Sequence, residues 1–195
     1  QRLIPAGVPV GIYIKTEGIL VIAESDFEGL DHSRKEPARY LLRAGDYILK
    51  VDGVELEGKK QFTEQVAASE GKELCLTICR DGQTFDVTVT PQQNTEGVYK
   101  LGIWIRDNAQ GVGTMTYLDE KNGFGALGHG INDTDTADLM EVQSGSLYKT
   151  KIVNIRKGIS GTPGELTGVI DYKKENRIGA ISINSGEGIF GTLSQ

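Results

Sequence analysis

Six short apolar stretches follow one another between residues 114 and 193, and they limit the possible fold more than any other feature. Apolar and polar side chains alternate within them as in β-strands, and glycines and polar turns separate them. No stretch there has the length and period of a long helix. The predicted strands are Thr114–Leu118, Phe124–Leu127, Leu147–Ile155, Leu166–Ile170, Ile178–Ile183 and Ile189–Leu193. Short strands at this spacing predict a sandwich or a barrel.

The first half of the chain mixes strands with helix. Phe62 and Val66 lie one turn apart within Lys59–Ser69, which predicts a helix there. The other predicted elements are strands at Val8–Ile14, Ile19–Ala23, Leu74–Cys79 and Phe85–Val89, turns at Thr16–Gly18, Asp52-Gly53 and Asp81-Gly82, and a short helix ending at Gly45. The polar stretch Asn94–Gly97 predicts a boundary between one domain at 1–95 and another at 96–195. The predicted fold class is mostly β with minor α.

Composition excludes several classes of function. The net charge is −6 and no basic patch is visible, so nucleic acid is not an expected partner. No apolar run is long enough to span a bilayer. The sequence opens at Gln1 without a signal peptide, so we expect an upstream segment to have been removed. Cys75 and Cys79 would lie roughly 13 Å apart on one strand face, which is too far for a disulfide between them.

His129 is the main candidate for a catalytic side chain. It is one of two histidines and lies between glycines, just past the end of a predicted strand. Asn122-Gly123 predicts a tight two-residue turn before that strand, because both central positions of such a turn have positive φ. A histidine there can accept a proton near neutral pH. The alternative is a loop histidine bonded to its neighbours, and His32 is expected to be simply solvated.

Motifs along the second half resemble the stage IV sporulation protein B family of serine peptidases. They are Gly111–Tyr117, Phe124–Asp133, Lys157-Gly158, Pro163–Glu165 and Gly188–Leu193, with Asn132 where the family often has serine. The resemblance implies a trypsin-like β-barrel and Ser-His-Asp chemistry with His129 as the general base and no cofactor. In that family the carboxylate and the serine, within Gly-x-Ser-Gly-x-Pro, lie further downstream. We therefore expect this chain to be inactive alone.

The same resemblance implies a biological role. Its members cleave themselves and a membrane-protein partner, and this cleavage triggers the activation of a downstream protease during sporulation. They are secreted from the forespore into the intermembrane space and anchored by an N-terminal segment. A barrel that ends near Gln195 would leave strand edges unpaired, so a homodimer through those edges is also expected.

The run Ala44–Gly53 resembles the helix-to-strand junction of a PDZ domain of the bacterial protease type. PDZ domains add an extended peptide to an exposed strand edge, and backbone N–H groups can hold its terminal carboxylate. The residues expected to bind the peptide, on one strand and on the facing helix, are Val10, Gly11, Ile12, Tyr13, Ile14, Phe62 and Val66. In the alternative, the protein's own chain fills this groove.

Two rival functions use the same residues differently. Gly158–Pro163 has the shape of a nucleophile loop, and Ser160 with His129 and with Asp133 or Asp135 would form a triad inside the chain. The resemblance aligns this segment with a glycine-rich turn instead. The second rival is a non-catalytic PDZ scaffold that only binds peptides.

No metal site is predicted. The acidic residues between Asn132 and Asp138 are of the type that binds calcium, but the loop lacks the glycine and terminal glutamate of an EF-hand. Aspartates after a strand more often accept backbone N–H bonds in a turn. The two histidines and two cysteines have no zinc-ligand spacing.

Overall fold

A computed structural model describes residues 2–194, and this part of the chain is mostly β-strand with one α-helix, as predicted. In chain order the strands are β1 (Leu3–Glu24), β2 (Phe27–Glu28), β3 (Arg34–Lys35), β4 (Tyr47–Val51), β5 (Val54–Glu55), β6 (Leu74–Arg80), β7 (Gln83–Val89), β8 (Gln92–Gln93), β9 (Tyr99–Lys100), β10 (Ile103–Asp119), β11 (Gly123–Ala126), β12 (Val142–Arg156), β13 (Glu165–Ile170), β14 (Arg177–Ser185) and β15 (Gly188–Leu193). The helix is α1 (Lys59–Ala68), and one 3₁₀ turn spans Lys174–Asn176. Among the described residues, no helix is both long and apolar enough to cross a membrane.

The chain divides into two compact units. Unit 1 contains the residues up to Thr16, Asn108–Asp133 and the residues from Leu139 onward, and unit 2 contains Glu17–Asp107 and Thr134–Asp138. This division differs from the predicted boundary between residues 95 and 96. The polar stretch used for that prediction is a local turn between β8 and β9, in which the N–H of Gly97 donates to the carbonyl of Asn94 at 2.9 Å.

Six strands of unit 1 close into a ring. β1 pairs with β12, and the order continues through β14, β15, β11 and β10, which returns to β1. β13 pairs with β12 outside this ring. Because side chains alternate between the two faces of each strand, one face of the ring supplies a single apolar core. Its buried members are Val10, Ile12, Ile14, Met115, Phe124, Ala126, Leu147, Ile181 and Ile189.

Unit 2 has its own sheet and core. β4 pairs with β1, β5 and β6, and β7 extends the sheet from β6. The helix α1 begins at the predicted residue and buries Phe62 and Val66 in the core of this unit. Two short ladders, β2 with β3 and β8 with β9, complete the unit.

Two local predictions in the first half are wrong. β1 continues through Thr16–Gly18, where a turn is predicted, because Gly18 takes a left-handed conformation (φ +82°) inside the strand. A Cβ at Gly18 would lie 2.6 Å from the carbonyl oxygen of Ile48, so the glycine permits close strand approach. The short helix predicted to end at Gly45 is a series of hydrogen-bonded turns, in one of which the carbonyl of Ala38 accepts the N–H groups of Leu41 and Leu42.

The hairpin before His129 is present, but its turn is longer than predicted. Asn122 has φ +63°, whereas Gly123 is already the first residue of β11. The carboxylate of Asp119 accepts the N–H groups of Lys121 and Gly123 at 2.8 and 2.7 Å. This side chain satisfies the backbone of a wider loop, so the tight two-residue turn is a wrong prediction.

Candidate active site

Two consecutive left-handed residues carry the chain from β11 to His129. Leu127 has φ +74° and Gly128 has φ +87°. Positive φ is costly for leucine, and such strain persists only where surrounding contacts hold it. Here the N–H of Leu127 donates to the carbonyl of Thr114 at 2.9 Å, and its side chain fills the space that a Cβ on Gly113 would need. His129 consequently leaves the strand end with an exposed ring.

The His129 ring has one defined hydrogen bond. Its Nδ1 lies 2.9 Å from the carbonyl oxygen of Gly130. A carbonyl oxygen can only accept, so this contact requires the proton on Nδ1. The neutral ring then carries its lone pair on Nε2, the arrangement that a general base needs.

The backbone after His129 is fixed by a side chain from β14. Asn184 Oδ1 accepts the N–H of Ile131 at 2.8 Å, and its Nδ2 donates to the carbonyls of Ile131 at 2.8 Å and of Met140 at 2.9 Å. Gly130 packs directly on β14 as well, because a Cβ there would lie 2.7 Å from the carbonyl oxygen of Ser185. Asn184 is not among the site residues predicted from the sequence. An asparagine within a predicted strand is disfavoured, and this could have marked it as a candidate.

A cavity of about 250 Å³ opens beside His129 in unit 1. Ile12, Val112, Leu127 and Ile131 contribute apolar side chains to its walls. A cavity with such walls can accept an apolar side chain. Its position next to an exposed imidazole makes it part of the candidate active site.

The acidic residues that follow His129 differ in burial and belong to different units. Asp133 is only 2% exposed, whereas Asp135 is half exposed and accepts a hydrogen bond from Arg106 Nη2 at 2.8 Å. Asp135 and Arg106 both belong to unit 2, and Asp133 and His129 belong to unit 1. Within residues 2–194, no group of three or more His, Cys, Asp or Glu side chains is arranged to hold a metal ion.

Ser160 lies at the exposed tip of the β12–β13 hairpin. The N–H of Ile159 donates to the carbonyl of Thr162 at 3.0 Å, and the N–H of Thr162 donates to the carbonyl of Ile159 at 2.9 Å. Gly161 between them has φ +79°. This is the glycine-rich turn that the resemblance implies. Among the hydrogen bonds of the described residues, none joins Ser160 to His129.

The strand edge predicted to receive a peptide is not an open edge. The stretch from Val10 to Ile14 pairs with β12, with Ile12 opposite Leu147, and β1 pairs with β10 on its other side. Most of its side chains face the core of unit 1. The prediction that Val10, Gly11, Ile12, Tyr13 and Ile14 present an open receiving edge is therefore wrong, because this stretch already pairs with β12.

Phe62 and Val66 instead line a different groove, within unit 2. It has a volume of about 360 Å³ and lies between α1 and the segment from Tyr99 to Ile105. Among the described strands, β10 pairs with β1 and, through Met115–Leu118, with β11. The segment Leu101–Ile105 falls within the domain predicted at 96–195, whereas the structure places it in unit 2.

Two partial relatives share similarity with this chain. Membrane metalloprotease ARASP, chloroplastic, of Arabidopsis thaliana is 32% identical over 74 residues, which cover 35% of this chain and 17% of the relative. "Putative zinc metalloprotease LL2128" of Lactococcus lactis subsp. lactis (strain IL1403) is 36% identical over 62 residues, which cover 32% of this chain and 14% of the relative. The chain thus spans less than a fifth of the length of either protein, and the likeness concerns one segment of each.

A broader match connects the site to a peptidase family. The family described as SpoIVB peptidase S55 matches residues 97–195, a range that includes His129, Asn184 and the residues of β10 that line the cavity. A peptidase acts on protein substrates. This chain belongs to the SpoIVB peptidase S55 family.

Proposed function

We propose that the protein is a serine endopeptidase in which His129 is the general base. The observation that carries this proposal is the exposed imidazole, whose Nδ1 bonds the Gly130 carbonyl while its Nε2 keeps a lone pair. In Ser-His-Asp chemistry that nitrogen takes the proton of the serine hydroxyl and later returns it to the leaving amine.

In this proposal the carboxylate and the serine lie downstream of residue 195, as the family resemblance implies, and the carboxylate shares the His129 Nδ1 proton with the Gly130 carbonyl. Ser160 belongs to an exposed hairpin tip and has no hydrogen bond to His129 within the described residues. The alternative triad with Ser160 therefore has no geometric support. This chain by itself holds the base and part of the substrate site.

The cavity beside His129 binds a substrate side chain next to the scissile bond. Its apolar walls favour an aliphatic residue, because burying such a side chain stabilises the complex by roughly 1.5–3 kcal/mol. Binding there would hold the substrate carbonyl near the imidazole, and positioning of this kind lowers the barrier of the reaction.

Replacement of His129 tests the catalytic role. In the full-length protein we expect His129→Gln to abolish peptide cleavage and labelling by a fluorophosphonate probe, whereas His32→Gln leaves both intact. His32 is a fair control because it is exposed, belongs to unit 2 and pairs only with Glu28, at 2.5 Å. Cleavage at full speed by His129→Gln would refute the proposal.

The fluorophosphonate probe also separates the rival triad. We expect no labelling of the 195-residue chain and labelling of the full-length protein, with Ser160→Ala leaving proteolysis nearly intact. Labelling of this chain at Ser160 would establish the rival mechanism instead.

The groove of unit 2 supports peptide binding as a second function. An extended peptide can add as a strand to Ile103–Ile105, with its side chains against Phe62 and Val66 of α1. Gly102 has φ +71° at the start of this segment, and its carbonyl accepts the N–H of Ser25 at 2.8 Å, which fixes one end of the groove. A PDZ-like domain with this corrected receiving edge is our proposal for unit 2.

The single tryptophan of the chain makes this proposal measurable. Trp104 lines the groove and is 66% exposed, so binding of a peptide with a free C-terminus should change its fluorescence. Thr63→Tyr fills the groove and should abolish the change, whereas Glu64→Tyr, at the next exposed position of α1, should not. A fluorescence response that Thr63→Tyr leaves unchanged would contradict groove binding.

The biological setting follows from the family and is likewise a proposal. The protein cleaves itself and a membrane-protein partner, and this cleavage triggers activation of a downstream protease in sporulation. It acts after secretion from the forespore into the intermembrane space, anchored by an upstream segment. Support comes from membership of the SpoIVB peptidase S55 family. Retention of sporulation by a His129→Gln strain would contradict this role.

A further inference from the structure

We propose that Asn184 is a positioning residue for His129, which it holds in the orientation and tautomer of a general base. The inference rests on the proposed function of His129. It assigns a role to a side chain on β14, a strand that is distant from His129 in sequence but contacts the His129 loop in the structure.

The side-chain amide of Asn184 bonds two backbone segments through its oxygen and through both of its N–H groups. Its Oδ1 and one N–H bond both polar groups of Ile131, and its second N–H bonds the carbonyl of Met140. The N–H of Met140 also donates to the carbonyl of Ile131 at 3.1 Å. One half-buried amide thus fixes the two ends of the excursion that runs from residue 132 to residue 139.

This amide controls the residue that holds the imidazole. Gly130 lies between His129 and Ile131, and its carbonyl accepts the His129 Nδ1 proton. With the Ile131 peptide fixed by Asn184, and with Gly130 packed against Ser185, the Gly130 carbonyl has one direction available. The ring therefore keeps its proton on Nδ1 and its lone pair on Nε2.

Other side chains cannot replace this arrangement. Alanine at 184 would leave the Ile131 and Met140 groups without their side-chain partner. Aspartate has nearly the same shape and can accept the Ile131 N–H, but it cannot donate to the two carbonyls while ionised. The aspartate variant therefore removes the donors with little change in volume.

The test is histidine NMR on the 195-residue chain with ¹⁵N-labelled imidazoles. The chain has two histidines, and His32 of unit 2 serves as an internal reference. In the wild type, at a pH where the ring is neutral, we expect the His129 proton on Nδ1. A wild-type ring protonated on Nε2 would overturn the inference without any variant.

Variants then connect the tautomer to Asn184. We expect Asn184→Ala and Asn184→Asp to shift the His129 ring nitrogens toward a mixture of tautomers and to leave His32 unchanged. Asn154→Ala, an exposed asparagine on β12, is the matched control and should change neither ring. Unchanged His129 signals in a folded Asn184→Asp chain would refute the positioning role.

Kinetics of the full-length protein give the second readout. We expect Asn184→Ala to lower kcat about a hundredfold with little change in KM, because a misplaced base slows the chemical step more than binding. If His129→Gln is inactive and Asn184→Ala has normal kcat, the positioning role fails and the proposed function stands. If His129→Gln is fully active, the proposed function fails, and the NMR result still decides the structural claim.

Discussion

The guanidinium of Arg80 binds both carboxylate oxygens of Asp46 in the core of unit 2. Arg80 Nε lies 2.7 Å from Oδ1 and Nη2 lies 2.7 Å from Oδ2, while the N–H of Arg43 donates to Oδ2 at 2.8 Å. Asp46 is fully buried and the Arg80 side chain is 24% exposed. Hydrogen bonding to Asp46 raises the pKa of Arg80 against the opposing effect of burial. This pair joins the Ala44-Gly45-Asp46 motif to β6.

Removing one partner of the Arg80–Asp46 pair should lower the free energy of unfolding. Asp46→Asn leaves the partly buried Arg80 guanidinium without its counter-charge, so we expect the free energy of unfolding to fall by roughly 1.5–3 kcal/mol. Urea unfolding followed by circular dichroism measures this loss. Asp81→Asn is the matched control, since Asp81 pairs with Arg43 at the surface, and it should cost less than about 1 kcal/mol. Equal losses in the two variants would contradict a structural role for the buried pair.

Ionisation of Tyr172 should make unit 1 less stable at high pH. Burial raises the pKa of Tyr172 above its ordinary value of 10.0, with smaller contributions from Tyr148 and Tyr13, whose rings lie 5.2 and 5.9 Å away. A raised folded-state pKa means that the unfolded chain loses its proton first, so this stabilisation is complete below pH 10 and falls as pH rises through the folded-state pKa. We expect Tyr172→Phe to lose less stability than the wild type between pH 9 and pH 11 in urea titrations. Parallel pH profiles would contradict the prediction.

The sequence predicts correctly those elements whose boundaries are determined by residues close to them in the chain. The helix at Lys59 and the strands at β6, β13 and β15 agree with the structure because alternation and turn residues determine them locally. The pairing of Val10–Ile14 with β12 could not be predicted in this way. A buried alternating strand looks the same whether its edge is open or paired, and its partner β12 is distant in sequence.

The candidate site shows the same limit. His129 was visible in sequence because a histidine between glycines after a strand is unusual, and the family motif surrounds it. Asn184 and the cavity depend on contacts between segments far apart in the chain, namely β14 with the His129 loop and Ile12 of β1 with β10. Neither leaves a periodic signal, and only the fold shows that these segments come together at His129.

Gly111 offers a way to obstruct the cavity without disturbing the fold. A Cβ at Gly111 meets no atom within 4 Å, and its φ is not in the left-handed region, so a larger side chain should be tolerated. We expect Gly111→Leu to lower kcat/KM of the full-length protein about tenfold for substrates with a bulky apolar residue at the cleavage site. Thr116→Leu, at an exposed position of the same strand, should have no such effect. Equal activities of the two variants would contradict substrate binding in this cavity.

The outer edge of β13 should mediate self-association of this chain. Among the described strands, β13 pairs only with β12, and its side chains Leu166 and Val169 are 42% and 59% exposed. An edge strand with exposed apolar side chains can pair with the same edge of a second copy. We expect Val169→Lys to raise the dissociation constant of a dimer in light-scattering titrations, with the unfolding free energy changed by less than about 0.5 kcal/mol. Val153→Lys, a comparably exposed valine on β12, is the control that should leave association intact, and a wild type that remains monomeric at high concentration would contradict the prediction.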